Sequence, residues 1–237
     1  VEKNLFLILN FLSYKIKNID LITFDNRNNN NLNKKINIIY PFFNFIKFNS
    51  RIPKYILCLL VMIRKLFSNK NYLILSFQAN IYVIILSKIF GVDVISRSNS
   101  SSTGWSKNYF KQLIFDFFFK KAKKIIVNSY DFKKEMDKKY KLKTSCILNP
   151  FNFQEILRKS KKKTKKIFFN KRSIKLISVG RLTYQKDFMT LLKAVNLIKN
   201  KKEFELVILG KGVEKDKLNS YIKKKNFDKN IKLLGYK

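Results

Sequence analysis

The chain reads as an α/β protein made of two doubly wound, Rossmann-like domains, the second of them incomplete. Three observations carry this reading. Short runs of Ile, Val and Leu alternate along the chain with stretches whose apolar residues recur at helical spacing. The alternation is broken once, by a Lys-rich segment at residues 155–172. Near the end, strand, helix, strand, helix and strand follow one another within residues 174–234, the half-unit of a nucleotide-binding sheet.

Residues 1–154 form the first expected domain. Leu5, Ile8, Leu9 and Leu12 share one face of an opening helix. Strands are expected at Ile19–Phe24, Ile36–Tyr40, Tyr72–Ser76, Asp93–Arg97, Lys124–Asn128 and Thr144–Leu148, with Asn26–Lys35 a polar loop. The apolar run Tyr55–Ile63 is broken at Arg64-Lys65, short of the ~20 residues a bilayer crossing needs. Leu73–Phe90 is interrupted by Ser76, Gln78, Asn80 and Lys88, and reads as a strand followed by a helix over Ile81–Phe90. Asn149-Pro150 closes the last strand, and residues 155–172 are expected as the linker.

The second domain, residues 173–237, holds the most informative segment. The strand Ile174–Val179 runs into Gly180-Arg181-Leu-Thr-Tyr-Gln-Lys186-Asp187, and a helix follows with Phe188, Leu191, Leu192, Val195 and Ile198 on one face. Ligands of open α/β sheets bind outside the carboxyl ends of the strands. Two cations beside a helix N-terminus make a site for a diphosphate there, because free N–H groups and the helix dipole also favour negative charge. A solvated turn in a Lys-rich chain is the plainer alternative. The strand Glu205–Leu209 then leads through Gly210-Lys211-Gly212 to a helix bearing Val213, Leu218, Tyr221 and Ile222, and the strand Ile231–Leu234 closes the unit.

Ser178-Val-Gly-Arg-Leu-x-x-Gln-Lys186, Leu191-Leu-Lys-Ala194, Leu206-Val-Ile-Leu-Gly-Lys-Gly212 and Leu234-Gly-Tyr236 together resemble family 4 glycosyltransferases. That family is retaining and has the GT-B fold, two Rossmann-like domains facing a cleft. The resemblance implies that Gly180, Arg181 and Lys186 hold the diphosphate of a nucleotide sugar. The position after the Lys, commonly Gly in the family, is Asp187 here. Val1-Glu2-Lys3-Asn4, followed by Leu5, Ile8, Leu9 and Leu12, resembles the start of the family's first helix, which follows a Gly-Gly-(Val/Ala)-Glu loop whose two glycines and preceding strand are absent here. The family's Glu-x7-Glu donor motif is not reached either. The chain is therefore expected to be an internal fragment of a longer enzyme, inactive by itself.

Composition narrows the chemistry. There is no His, so Ser-His-Asp catalysis and His-based metal sites are excluded, and the carboxylates are too scattered for a metal cage or a glycosidase pair. No cofactor or metal is expected, the nucleotide-diphosphate sugar being a substrate, and no catalytic residue is identified. Departure of a diphosphate is helped by cations that grip harder as charge builds on the leaving oxygen. Arg181 would offer a planar fork and Lys186 a point charge. On the acceptor side, Arg97 and Asn99 are candidates for contacts to sugar or phosphate. The alternative is that Ser98–Gly104 is only a polar loop, and that Ser129 only caps a helix.

The net charge of +36 invites a nucleic-acid reading. Lys is enriched everywhere, however, along with Asn, Ile and Phe, and no nucleic-acid-binding motif is present. Such charge also favours anionic membrane surfaces, and Tyr109–Lys124 and Lys159–Lys166 are candidate segments, each with a structural alternative as core helix or linker. Cys58 and Cys146 are isolated in apolar surroundings and are expected as buried thiols in a reducing cytoplasm. The expected activity is transfer of a sugar to a glycan or lipid-linked acceptor in cell-envelope polysaccharide synthesis, in the cytoplasm or peripheral to the membrane. A non-catalytic nucleotide-binding protein and a basic nucleic-acid-binding protein remain the alternatives.

Overall fold

The computed structural model describes residues 2–25, 31–99, 109–141, 143–162, 173–198 and 203–236. It divides into two compact units, Val1–Leu157 and Arg158–Lys237.

The first unit runs α1 (Glu2–Leu12), β1 (Ile19–Ile22), β2 (Ile36–Ile39), α2 (Arg51–Ser68), β3 (Leu73–Ser76), α3 (Asn80–Phe90), β4 (Asp93–Ser98), α4 (Tyr109–Phe119), β5 (Lys124–Val127), α5 (Tyr130–Tyr140) and β6 (Ser145–Cys146), and α6 (Phe153–Ser160) runs across the boundary after Leu157. Every strand pair is parallel, as βαβ crossovers require. The strands form two sheets rather than one: β1-β2, and β3-β4-β5-β6. Among the described residues β1 and β3 each pair on one edge only, so no ladder joins the two.

Local chemistry sets the helix ends. Ser50 caps α2 by accepting a hydrogen bond from Ile52 N, and Pro53 sits in the first turn, where its missing N–H costs nothing. Gly91, at φ 70°, ends α3 in the left-handed conformation and returns its N–H to Lys88 O. Ser129 Oγ accepts from Phe132 N at the start of α5, so its role in the structure is the cap. The core gathers Met62 and Leu66 of α2, Ile81 and Ile84 of α3, Val94, Val127, and Phe132 and Met136 of α5. Phe119 is buried in that core, with Phe115 and Phe118 of α4 packed against it, which favours the core-helix reading of this segment.

The structure differs from expectation in three places. β6 keeps only Ser145–Cys146, because beyond it the Ile147 carbonyl accepts from the Arg97 side chain. Residues 155–160, expected as linker, belong to α6, begun by Asn152 Oδ1 accepting from Glu155 N. Cys58 and Cys146 are half-buried rather than buried, and burial pushes the Cys58 thiol up to about 11. Much of the expected basic run Lys159–Lys166 and part of the loop Ser98–Gly104 lie outside the described residues.

The second unit runs β7 (Ile174–Val179), a single 3-10 turn (Tyr184–Lys186), α7 (Phe188–Ile198), β8 (Phe204–Leu209), α8 (Lys215–Lys224) and β9 (Ile231–Gly235). Its sheet is parallel, in the order β7-β8-β9. Phe188, Leu192 and Val195 of α7 and Leu218 and Ile222 of α8 pack with Phe204, Leu206 and Ile208 of β8, so both helices cover one face. Right-handed crossovers that step in one direction across a sheet give this arrangement.

Candidate functional site

At the carboxyl end of β7 the chain makes a short loop whose inner side is apolar and whose outer side is basic. Leu182 and Phe188 are buried in the unit's core and pin the loop at two points. Between and beside these anchors, Arg181, Tyr184 and Lys186 are exposed. Gly180 lies over the Phe188 ring, with room for a Cβ only at 3.2 Å from Cζ. The loop ends at Asp187, whose φ of 46° and ψ of 52° are left-handed. Glycine suits that conformation best, which gives a physical reason for the Gly expected at this position. Asp187 occupies it while its carboxylate accepts from Thr190 N (3.2 Å) and Thr190 Oγ1 (2.7 Å), capping α7. The Thr190 hydroxyl, and next the Thr190 N–H, hold the Asp187 carboxyl below its ordinary pKa.

The loop after β8 fits against this one backbone to backbone. A Cβ on Gly210 would lie 1.8 Å from the Gly180 carbonyl oxygen, and one on Gly212 would lie 2.1 Å from the Leu182 carbonyl oxygen. No side chain fits either gap. Leu182 N donates to Lys211 O (3.0 Å), Glu214 N donates to Leu182 O (3.0 Å), and Gly210 N donates to Gly235 O (2.8 Å). These bonds lock the ends of β7, β8 and β9 together and set the N-terminus of α8 beside the loop that carries Arg181 and Lys186. A rigid backbone with two solvent-facing cations next to a helix N-terminus is suited to a phosphate group.

The strand ends of the first unit are built from side chains instead. Ser76 Oγ donates to Asn80 Oδ1 (2.7 Å), and Asn80 Nδ2 donates to Arg97 O (3.0 Å). Arg97 Nη2 donates to Ile147 O and to Asn149 Oδ1, both at 3.0 Å. Arg97 is 2% exposed. Burial draws its pKa down, yet a guanidinium stays protonated in proteins. Ala79, at the head of α3, is left-handed (φ 53°) with no side-chain cap, so strain is stored beside this network.

The residues singled out in the sequence thus fall into two groups. Gly180, Arg181 and Lys186 share one loop in the second unit. Arg97 and Asn99 lie at the end of β4 in the first, Arg97 buried in the network and Asn99 exposed. Sequence reading did not link Arg97 to Ser76 at the end of β3, Asn80 at the start of α3 or Asn149 after β6. It also missed Gly212 as a contact to Leu182. The Gly-x-Gly spacing was the available signal for that contact.

Residues 159–237 match the sequence model of the family described as glycosyl transferases group 1. An uncharacterized glycosyltransferase of Methanocaldococcus jannaschii is 30% identical over 167 residues, covering 65% of this chain and 41% of that protein. The N-acetylgalactosamine-N,N'-diacetylbacillosaminyl-diphospho-undecaprenol 4-alpha-N-acetylgalactosaminyltransferase of Campylobacter jejuni is 28% identical over 165 residues, covering 65% of this chain and 43% of that protein. The crystal structure of Anabaena HepE in complex with UDP superposes with a TM-score of 0.63 at 14% identity, covering 99% of this chain and 65% of that one. The chain therefore spans about two fifths of the length of the curated relatives it matches. The second unit thus resembles the group 1 glycosyltransferases, and the fold is that of GT-B structures.

Proposed function

We propose that this chain carries the donor-diphosphate site of a retaining glycosyltransferase, which moves a sugar from a nucleotide-diphosphate sugar to a glycan or lipid-linked acceptor in cell-envelope polysaccharide synthesis. The observation that carries the proposal is the pair of interlocked loops after β7 and β8, with Arg181 and Lys186 facing solvent on a backbone that has no room to shift.

In this reading the backbone places the two cations before the donor arrives, so little reorganisation opposes binding. As the bond from the sugar's anomeric carbon to the diphosphate oxygen lengthens, negative charge builds on that oxygen. Arg181 and Lys186 then bind the leaving group more tightly than the intact donor, and this difference lowers the barrier. The acceptor hydroxyl oxygen forms the new bond to the anomeric carbon on the face the diphosphate leaves, and its proton passes to the departing diphosphate oxygen. Two fixed cations supply the charge this step needs, so the reading calls for no metal or cofactor. On the acceptor side we assign Asn99 to contact with sugar or phosphate hydroxyls. Arg97 supplies a buried positive charge near it and holds the Ile147–Asn149 strand end in place.

The relatives support the substrate classes. HepE was crystallised with UDP, and the Campylobacter relative is named for an acceptor carried on diphospho-undecaprenol. The test is sugar transfer by the protein that carries this chain. Arg181→Ala and Lys186→Ala are each expected to abolish transfer while leaving Tm unchanged, since neither side chain is buried. Retained transfer in both variants would sink the site assignment. Tight, salt-sensitive nucleic-acid binding that ignores both substitutions would favour the nucleic-acid alternative.

A further inference from the structure

The loop that carries Arg181 and Lys186 also carries an acid. The chain holds 51 Lys or Arg against 15 Asp or Glu, so a cation at any exposed position is ordinary and a carboxylate is not. Asp187 nevertheless follows Lys186 directly, in the loop proposed for a diphosphate. Its backbone is left-handed, where Gly is the least strained residue. A carboxylate within reach of Arg181 or Lys186 would pair with either one and cancel charge that the donor needs.

The carboxylate goes elsewhere. Oδ1 accepts from Thr190 N (3.2 Å) and Oδ2 accepts from Thr190 Oγ1 (2.7 Å), so both oxygens are drawn onto the first turn of α7. Hydrogen bonds to an ionised acceptor are stronger than neutral ones, and the positive end of the α7 dipole adds to them. The cations whose charge also reaches the carboxylate are Lys193, on the next turn of α7, and Lys217 of α8. Among the described residues neither Arg181 nor Lys186 has an ion pair. The acid and the two cations of one loop thus stand apart, and Thr190 is the residue that separates them. Its hydroxyl is the specific part of that contact, because any residue but Pro would supply the N–H.

We propose that Thr190 is a positioning residue of the donor site: its hydroxyl holds the Asp187 carboxylate on α7 and so keeps Arg181 and Lys186 open to a diphosphate. The inference rests on the donor-site reading and adds to it a residue that acts through Asp187 and not on the donor itself. It also gives Asp187 a definite effect. Even when latched to α7, its fixed negative charge lowers the affinity of the loop for an anion.

Calorimetric titration of the whole chain with UDP tests this, with far-UV circular dichroism to check that each variant is folded. Thr190→Val keeps the branched shape of the side chain and removes the hydroxyl. It should weaken UDP binding ~3-fold, the size of one exposed charge interaction. Asp187→Asn keeps an acceptor for the Thr190 N–H, suits a left-handed turn and removes the charge, and it should tighten UDP binding ~3-fold. The double variant Asp187→Asn/Thr190→Val separates positioning from structure. With no carboxylate to release, loss of the hydroxyl should change affinity less than about 1.5-fold relative to Asp187→Asn alone. A loss of equal size on both backgrounds would overturn the proposal, because the hydroxyl would then act through the fold of the loop. Unchanged affinity in Thr190→Val and Asp187→Asn, beside a loss in Arg181→Ala, would also overturn it and would leave the donor-site reading standing. No UDP binding by the parent chain would defeat that reading, and this inference with it.

Discussion

At the carboxyl ends of β7 and β8 the chain is held backbone to backbone, with Gly210 and Gly212 placed where any Cβ would overlap a carbonyl oxygen. At the carboxyl ends of β3 and β4 the same task falls to side chains, a chain of hydrogen bonds from Ser76 through Asn80 and Arg97 to Asn149. The two solutions differ in what they leave available. Where the backbone does the holding, the charged side chains Arg181 and Lys186 stay free to face solvent and a ligand. Where side chains do the holding, the one guanidinium at the site is buried and already bonded. This contrast is why we assign the donor phosphates to the second unit and give Arg97 a positioning part.

Glycine substitutions test the contrast most severely. Gly210→Ala puts a Cβ against the Gly180 carbonyl and imposes a φ of 151° on an L-residue. It should cost ~3 kcal/mol or more in guanidinium unfolding. Gly91→Ala, in the first unit, meets no atom within 4 Å and bears only the strain of φ 70°. It should cost ~1 kcal/mol. Equal costs for the two would mean that the loops do not interlock as described.

The side-chain network comes next in size. Arg97→Met keeps much of the volume but strips the Ile147 carbonyl and the Asn149 amide of their donor, at roughly 1–3 kcal/mol of stability by urea unfolding. Asn149→Ala leaves Arg97 its bond to Ile147 O and should cost less, roughly 1 kcal/mol. The order would reverse if Arg97 were merely packed there.

A smaller effect lies at the join of α5 and β6. Asp137 is ion-paired with Lys133 and accepts from Thr144 N and Oγ1, both at 2.8 Å. Burial alone would raise its pKa, but the bonds from Lys133 and Thr144 outweigh burial and hold the carboxyl below its ordinary value. A carboxyl whose folded pKa is depressed stabilises the fold fully above its unfolded value, near ~3.9, and loses that contribution as pH falls through the folded value. Stability measured below about pH 4 should therefore fall less steeply in Asp137→Asn than in the parent chain.

The same contrast governs how much the sequence could reveal. Gly180, Gly210 and Gly212 stand at strand ends in a short span, so a close fit of two loops leaves a local signature. Arg97 and its partners do not: Asn80 lies 17 positions away and Asn149 lies 52, and no local pattern links them. Asp187 was visible as a departure from the family's Gly. Its double role, accepting a left-handed turn while capping α7, depends on Thr190 reaching back to it. The alternation of strands and helices located the strands to within a few residues, but it took most of α6 for linker and could not show that β1-β2 and β3–β6 form separate sheets. Nor could periodicity tell which of the two apolar faces of α2 enters the core, because Ile56 and Met62 are both apolar.

The central claim is that the loop after β7 is a ready-made diphosphate site, and calorimetric titration of the chain with UDP tests it most directly. The account predicts saturable binding, weakened ~10-fold or more by Arg181→Ala and again by Lys186→Ala, as loss of a charge-assisted hydrogen bond requires. Binding that both variants keep at full strength, or no binding by the correctly folded chain, would contradict it.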